Sequence, residues 1–255
     1  MRFCLLGSGS KGNCLWIEED RKAAVIDNGL SCSEFLVRAR AAGLEPGLLR
    51  HVVVSHEHTD HLSGVGPLAR KFDATVHMTE LAAEKASAGV GRVRLKTFKP
   101  GDRLDLGPVS LTAITSSHDT VDPVVFVARG RKVSLGAVTD LGAVTHLIRE
   151  GLRNLDALVL EFNHDVGRLL SGPYPEFLKQ RVRGRRGHLS NEQAGELLRE
   201  LNHPGLRLVV LAHISETNNT PELAMAAALA ALEGAEYSPA LLAAGQWQPT
   251  EIFEL

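Results

Sequence analysis

The feature that most constrains this chain is the join between an apolar run and a polar cluster. His51-Val52-Val53-Val54-Ser55 leads directly into His56-Glu57-His58-Thr59-Asp60-His61. A short apolar run of β-branched residues reads as a buried strand. Three imidazoles and a carboxylate then fall within six positions. Imidazole and carboxylate bind borderline cations, and a dense cluster of them points to metal. The alternative is a polar turn closing a buried strand, but a turn has no need of this residue set at this spacing. Four more candidates repeat the arrangement. His118, Asp140, His213 and Asp27 each follow a predicted strand, at Thr115, Thr139, Ala212 and Ile26. Strand ends meet on one rim of a sheet pair, so residues far apart in sequence can share a site there.

The remaining pattern fits that picture. Strands are predicted at 3–6, 14–17, 23–26, 51–55, 95–98, 109–115, 124–128, 133–139, 157–161 and 206–212. Helices are predicted at 33–42, 62–72, 79–88, 143–150, 191–201 and 222–233. The helix at 191–201 carries its own start signal: Ser190 as N-cap and Gln193 completing a capping box. Strands lead in both halves of the chain, with helices between and after them. The expected class is α+β (mixed α/β), with two mixed sheets face to face and helices outside, as one domain over 1–255. A length of 255 residues suffices for a sizeable core, and a net charge of −2 excludes a global basic field. Cys4, Cys14 and Cys32 are odd in number and read as free thiols. The N-terminus lacks a signal-peptide pattern and no window approaches a membrane span, so a cytoplasmic protein without a membrane partner is expected.

The order H-x-H-x-D-H, His, Asp, His resembles the metallo-β-lactamase fold, an αββα four-layer sandwich. The resemblance implies two divalent metal ions, of zinc, manganese or iron. It places His56, His58 and His118 on one, Asp60, His61 and His213 on the other, and Asp140 on both. Asp27 matches the residue that orients a ligand histidine from behind. The bridging position holds Asp140 where many antibiotic-degrading members have Cys, and the second motif position holds His58 where flavo-diiron members have Glu. Both choices favour hydrolysis by a metal-bridged hydroxide, with Asp60 helping to orient it.

Between Asp140 and His213 lie Glu161-Phe162-Asn163-His164-Asp165 and Gly187-His188-Leu189-Ser190-Asn191. In ribonuclease Z-like proteins a Glu after this strand and a His before the next helix lie beside the metals. By motif these are Glu161 and His188, with His188 acting on the scissile phosphate or leaving oxygen and Glu161 orienting it. Residues 168–186 hold six basic side chains and one acid. Such a run is commonly a solvated face. Beside a helix N-terminus it suits phosphate, so Arg181, Arg183, Arg185 and Arg186 are candidate substrate contacts. The fold also brings Ser10, Lys11, His164 and Asn218 into consideration as substrate contacts.

Strings at 6–13, 55–61, 119–123, 161–165, 187–191 and 212–219 resemble the bacterial YycJ (WalJ) group of DNA exonucleases. That resemblance implies a dinuclear metal-dependent phosphodiesterase degrading DNA from a 5′ end, linked to DNA repair. Segment lengths leave no room for the tRNA-binding arm of ribonuclease Z or the β-CASP insertion of ribonuclease J. The sequence leaves RNA open as a substrate and a homodimer open as an assembly. Two other classes stand beside the nuclease: a small-molecule metallo-hydrolase acting on a thioester, lactone or cyclic phosphodiester, and a metal-stabilised nucleic-acid-binding module.

Overall fold

The computed structural model describes residues 1–255, apart from the side chain of Ser87. In chain order the strands are β1 (Arg2–Gly7), β2 (Cys14–Glu19), β3 (Lys22–Ile26), β4 (Leu49–Val53), β5 (Thr75–Thr79), β6 (Arg94–Phe98), β7 (Arg103–Asp105), β8 (Ser110–Thr115), β9 (Val124–Arg129), β10 (Ser134–Val138), β11 (Ala157–Glu161), β12 (Leu208–Ala212), β13 (Ala240–Ala243) and β14 (Phe253–Glu254). The helices are α1 (Cys32–Ala41), α2 (Thr59–Leu62), α3 (Val65–Phe72), α4 (Glu80–Val90), α5 (His146–Gly151), α6 (Val166–Ser171), α7 (Glu176–Arg183), α8 (Asn191–Leu201) and α9 (Pro221–Leu232).

Among the described residues the strands form two seven-stranded sheets, ordered β14-β1-β2-β3-β4-β5-β6 and β13-β12-β11-β10-β9-β8-β7. Both mix parallel and antiparallel pairs. Alternation along each strand sends one set of side chains inward and the other to the helices. Phe3, Leu5, Ile26, Val53, Leu111, Phe126, Val159 and Val210 belong to one buried cluster drawn from both sheets. Trp16, Val25, Phe35, Val52, Leu68 and Met78 form a second, between the first sheet and α1, α3 and α4. Val138, Ile148, Leu158, Leu197, Leu211 and Ala228 form a third, between the second sheet and α5, α8 and α9. The layers are therefore helix, sheet, sheet, helix, as expected.

Several local expectations differ. The helix predicted at 62–72 starts later, as α3, after a separate turn of helix, α2; between them Gly64 lies against the loop that follows β3. A Cβ on Gly64 would lie 1.8 Å from the Leu30 carbonyl oxygen. The buried strand β5 falls between the helices predicted at 62–72 and 79–88, where no strand was expected. Helices α6 and α7 and the edge strands β7, β13 and β14 were not expected at all. Helix α7 has no buried residue, so it offers no core-facing stripe to read.

Candidate metal centre

All the strand-end candidates lie at one rim of the sandwich. Strand β4 leads to His56 and His58, and α2 then carries Asp60 and His61. Asp27, Asp140 and His213 leave β3, β10 and β12 in the left-handed backbone region, at φ 60°, 58° and 52°. Asp and His are among the side chains that tolerate this region, at a cost of about 1–2 kcal/mol each. That the same uncommon turn occurs at three strand exits marks the rim as a place where geometry outweighs local comfort.

Two ligand triads result. His56 Nε2 lies 3.2 Å from His58 Nδ1, and His118 Nε2 lies 3.3 Å from that same nitrogen. Asp60 Oδ2 lies 3.4 Å from His61 Nε2 and 3.6 Å from His213 Nε2. Asp140 stands between the triads. Its Oδ2 is 3.0 Å from His61 Nε2 and its Oδ1 is 3.6 Å from His118 Nε2. Within each triad the ligand atoms lie within 4.8 Å of one another.

Hydrogen bonds behind the rings determine what faces the centre. Asp27 Oδ1 accepts from the Ser55 amide at 2.7 Å, and its Oδ2 accepts from Ser55 Oγ at 2.7 Å. The same Oδ2 lies 2.8 Å from His61 Nδ1. The Ser55 hydroxyl proton is thereby committed, so Ser55 Oγ accepts from His56 Nδ1 at 2.9 Å. His118 Nδ1 lies 2.9 Å from the Gly187 carbonyl, which can only accept. Each of these rings spends its N–H on the outside, so in the neutral ring Nε2 presents a lone pair inward. At 3.0 Å the His61 lone pair faces a carboxylate oxygen. Asp140 Oδ2 and His213 Nε2 are buried with no hydrogen-bond partner, a costly state for such groups. Converging lone pairs, orphaned acceptors and an N/O donor set all fit divalent cations.

The electrostatics show how strongly the surrounding carboxylates draw positive charge, a proton or a cation, to these rings. Burial alone would lower the pKa of His61, but Asp140, Asp27 and Asp60 overcome it and raise it well above the usual histidine value. His213 behaves likewise: burial opposes protonation, yet Asp140, Asp60 and Glu161 push its pKa up to about 10. Asp140 is pulled down against its burial by His213 and His61. His56 goes the other way, with burial and then His61 lowering it. The carboxylates thus hold an excess of negative potential that a cation satisfies.

Glu161, fully buried, ends β11. Its Oε2 accepts from the Leu141 amide at 2.8 Å and its Oε1 lies 2.7 Å from His188 Nδ1. His188 Nδ1 is also 3.6 Å from Asp140 Oδ1. An open cavity of about 210 Å³ covers the centre, with His58, Asp60, His118, Asp140, His188 and His213 in its lining. Ser10 borders it on one side and Tyr174, Leu178, Arg181 and Val182 on another.

The structure does not bring every expected substrate residue to this cavity. Arg181 borders it and donates from Nε to Asp119. Arg183 and Arg185 instead line a separate groove with Gly142, Arg149 and Gln193: helical spacing turns Arg183 away from Arg181, and Arg185 lies in the loop beyond α7. Arg186 is occupied, donating from Nε to the His118 carbonyl at 3.2 Å. His164 and Asn218 are each only 1 % exposed. His164 joins Ser190 in an isolated β-bridge and accepts the Asn191 amide on its carbonyl. Lys11 is exposed, with its amide bonded to Gln246 Oε1. Sequence reasoning missed Ser55 and the Gly187 carbonyl. It also missed Asn13, whose Nδ2 lies 3.2 Å from Asp60 Oδ2, and Asn163, whose Nδ2 donates to the His213 carbonyl at 3.0 Å. Ser55 was legible in principle, standing between the apolar strand and the first ligand.

Residues 24–214 match a beta-lactamase superfamily domain. The chain belongs to the beta-lactamase superfamily. It is a metal-dependent hydrolase of that superfamily. It is 32% identical over 227 residues to Exodeoxyribonuclease YycJ of Bacillus anthracis, covering 88% of this chain and 86% of the relative. It is equally 32% identical over 228 residues to Exodeoxyribonuclease WalJ of Streptococcus pneumoniae, covering 88% and 85%. The metallo-beta-lactamase fold protein YhfI of Bacillus subtilis superposes with a TM-score of 0.73 at 16% identity, over 98% of each chain. That last likeness shows the fold.

Proposed function

We propose that this protein is a DNA exonuclease: a phosphodiesterase that holds two divalent cations and removes nucleotides from a 5′ end, in the service of DNA repair. The observation that carries the reading is the joint placement, around one open cavity, of the two ligand triads, the His188–Glu161 pair and Arg181. The exodeoxyribonuclease names of the relatives support DNA as the substrate.

In this reading His56, His58 and His118 hold one cation, Asp60, His61 and His213 hold the other, and Asp140 touches both. Bound cations supply Lewis acidity, which activates a water and neutralises charge on the phosphoryl oxygens. Asp60 and Asp140 would orient the attacking water by accepting hydrogen bonds from it. Glu161 accepts from His188 Nδ1–H, so that with the ring doubly protonated Nε2–H can bond the phosphate or pass its proton to the departing sugar oxygen, leaving the neutral ring. Arg181 offers a guanidinium to a phosphate beside the scissile one, after releasing Asp119. The short spans between ligands support a single domain over 1–255 with neither a β-CASP insertion nor a tRNA-binding arm. The three unpaired cysteines support a cytoplasmic setting. No helix among the described residues is long and apolar enough to cross a membrane.

The test uses end-labelled duplex DNA with manganese. Wild type is expected to shorten it from the 5′ end, and His61→Ala to be inactive. Equal degradation by both proteins rejects the site. Turnover of a small thioester or lactone, with no action on DNA, moves the protein to the small-molecule class.

A further inference from the structure

Beyond the ligands, one aromatic side chain and one cation line the cavity, and a second aromatic, Trp247, is tied to the loops beside it. Tyr174 and Arg181 belong to the α6–α7 wall. The loop after His213 adjoins that wall: a Cβ on Gly172 would lie 3.1 Å from Asn218 Oδ1, and the Asp165 amide donates to the Asn218 carbonyl at 2.9 Å. Glu216 in the same loop accepts from Trp247 Nε1 at 2.7 Å. Beside Trp247, the buried Gln246 accepts from the Lys11 amide and donates to the Gly12 carbonyl at 3.0 Å. Its own carbonyl accepts from Arg38 Nη1 at 2.6 Å. Trp247 is thereby fixed between the loop that carries Ser10 and the loop that follows His213, and both Ser10 and His213 line the cavity.

Trp247 is unusual among these. Its neighbour is clamped from three directions and its indole N–H is satisfied, yet the residue is 61 % exposed. An indole fixed at one edge and open elsewhere loses little entropy on receiving a flat ring, and every nucleobase has a flat face. Glu216 repels a phosphate placed against that edge, so the strand meets the indole with a base and carries its backbone toward Lys11 and Arg181. Aromatic platforms alternating with cations are how single strands are held without sequence preference.

We propose that Trp247 is a base-stacking residue that receives an unpaired base of the strand being degraded, so that the enzyme engages single-stranded or frayed ends. This rests on the nuclease reading above. The duplex interior hides the faces of its bases, so only an unstacked end can use the platform.

Steady-state cleavage of an oligothymidylate tests it, with bis(para-nitrophenyl) phosphate turnover measured in parallel. Trp247→Ala is expected to raise KM for the oligonucleotide about tenfold with kcat little changed. Trp247→Phe is expected to restore most of the loss, and the small diester to be turned over as by wild type. In wild type, a phosphorothioate oligothymidylate should also shield the exposed indole from acrylamide quenching, while the buried Trp16 contributes no change. An unchanged KM in the alanine variant, an equal loss on the small diester, or unaltered quenching overturns the stacking role. A wild type that hydrolyses the small diester but no nucleic acid sinks the nuclease reading itself, and the stacking role with it.

Discussion

Asp27 does not ligate in the arrangement proposed, yet it decides which nitrogen of two histidines faces the centre. It accepts from Ser55 twice and from His61 once, and Ser55 passes the effect to His56. An amide at position 27 has one acceptor atom where the carboxylate has two, so this chain of donors cannot be completed. Asp27→Asn is expected to weaken metal affinity by roughly 10–100-fold, with the fold retained. Chelator competition monitored with far-UV circular dichroism checks both parts. Unaltered affinity in a folded variant means that Asp27 does not orient His61. The conclusion at this scale is that proton placement on the outer face of each ring fixes the chemistry of the inner face.

At the scale of elements, the loop from α7 to α8 is more than a connection. The His188 amide donates to the Val182 carbonyl at 2.8 Å, which folds the loop back on α7. Gly187 makes that return possible: a Cβ there would lie 2.0 Å from the Val182 carbonyl oxygen and 2.2 Å from that of Arg181. The Gly187 carbonyl also receives His118 Nδ1. Gly187→Ala must therefore push the loop outward and carry that carbonyl away from His118. Lower metal content per chain and a lower Tm are expected, together with a fall in activity of tenfold or more at fixed metal, on the order of 1.4 kcal/mol in the barrier. Metal analysis and calorimetry on the purified variant test this. Wild-type metal content and activity would show that the loop does not set the His118 ring.

At the scale of the molecule, a second histidine pair lies away from the metal rim. His51 on β4 and His77 on β5 approach to 3.1 Å, Nδ1 to Nε2. Burial, then His51 and Lys96, lower the His77 pKa from 6.5 to about 4. The unfolded chain therefore binds more protons than the folded one between those values. By linkage, stability contributed by the neutral His77 is present above the unfolded pKa and lost as pH falls from 6.5 toward 4. Discounted for solvent screening, the loss between neutral pH and about pH 5 is on the order of 1 kcal/mol. His77→Gln removes this titration. Its Tm deficit against wild type at neutral pH should narrow near pH 5, as followed by calorimetry. A deficit that stays constant across the range would deny the pair this role.

The sequence by itself determined which side chains are candidates for a metal site, because H-x-H-x-D-H and the later strand ends carry side chains whose chemistry has few uses other than cations. It determined the layered class as well, since apolar strands and capped helices declare themselves through local period and end signals. Only the tertiary structure decided how the basic run is divided, with Arg181 at the cavity and Arg183 and Arg185 in another groove. It also decided that His164 and Asn218 are buried, and that exposed Trp247 is bonded to the loop after His213. Helix α7 has no buried stripe, and the bonds among Asp27, Ser55, His61 and His56 join residues from separate elements. Contacts of that kind depend on distance through space, which a one-dimensional pattern does not hold.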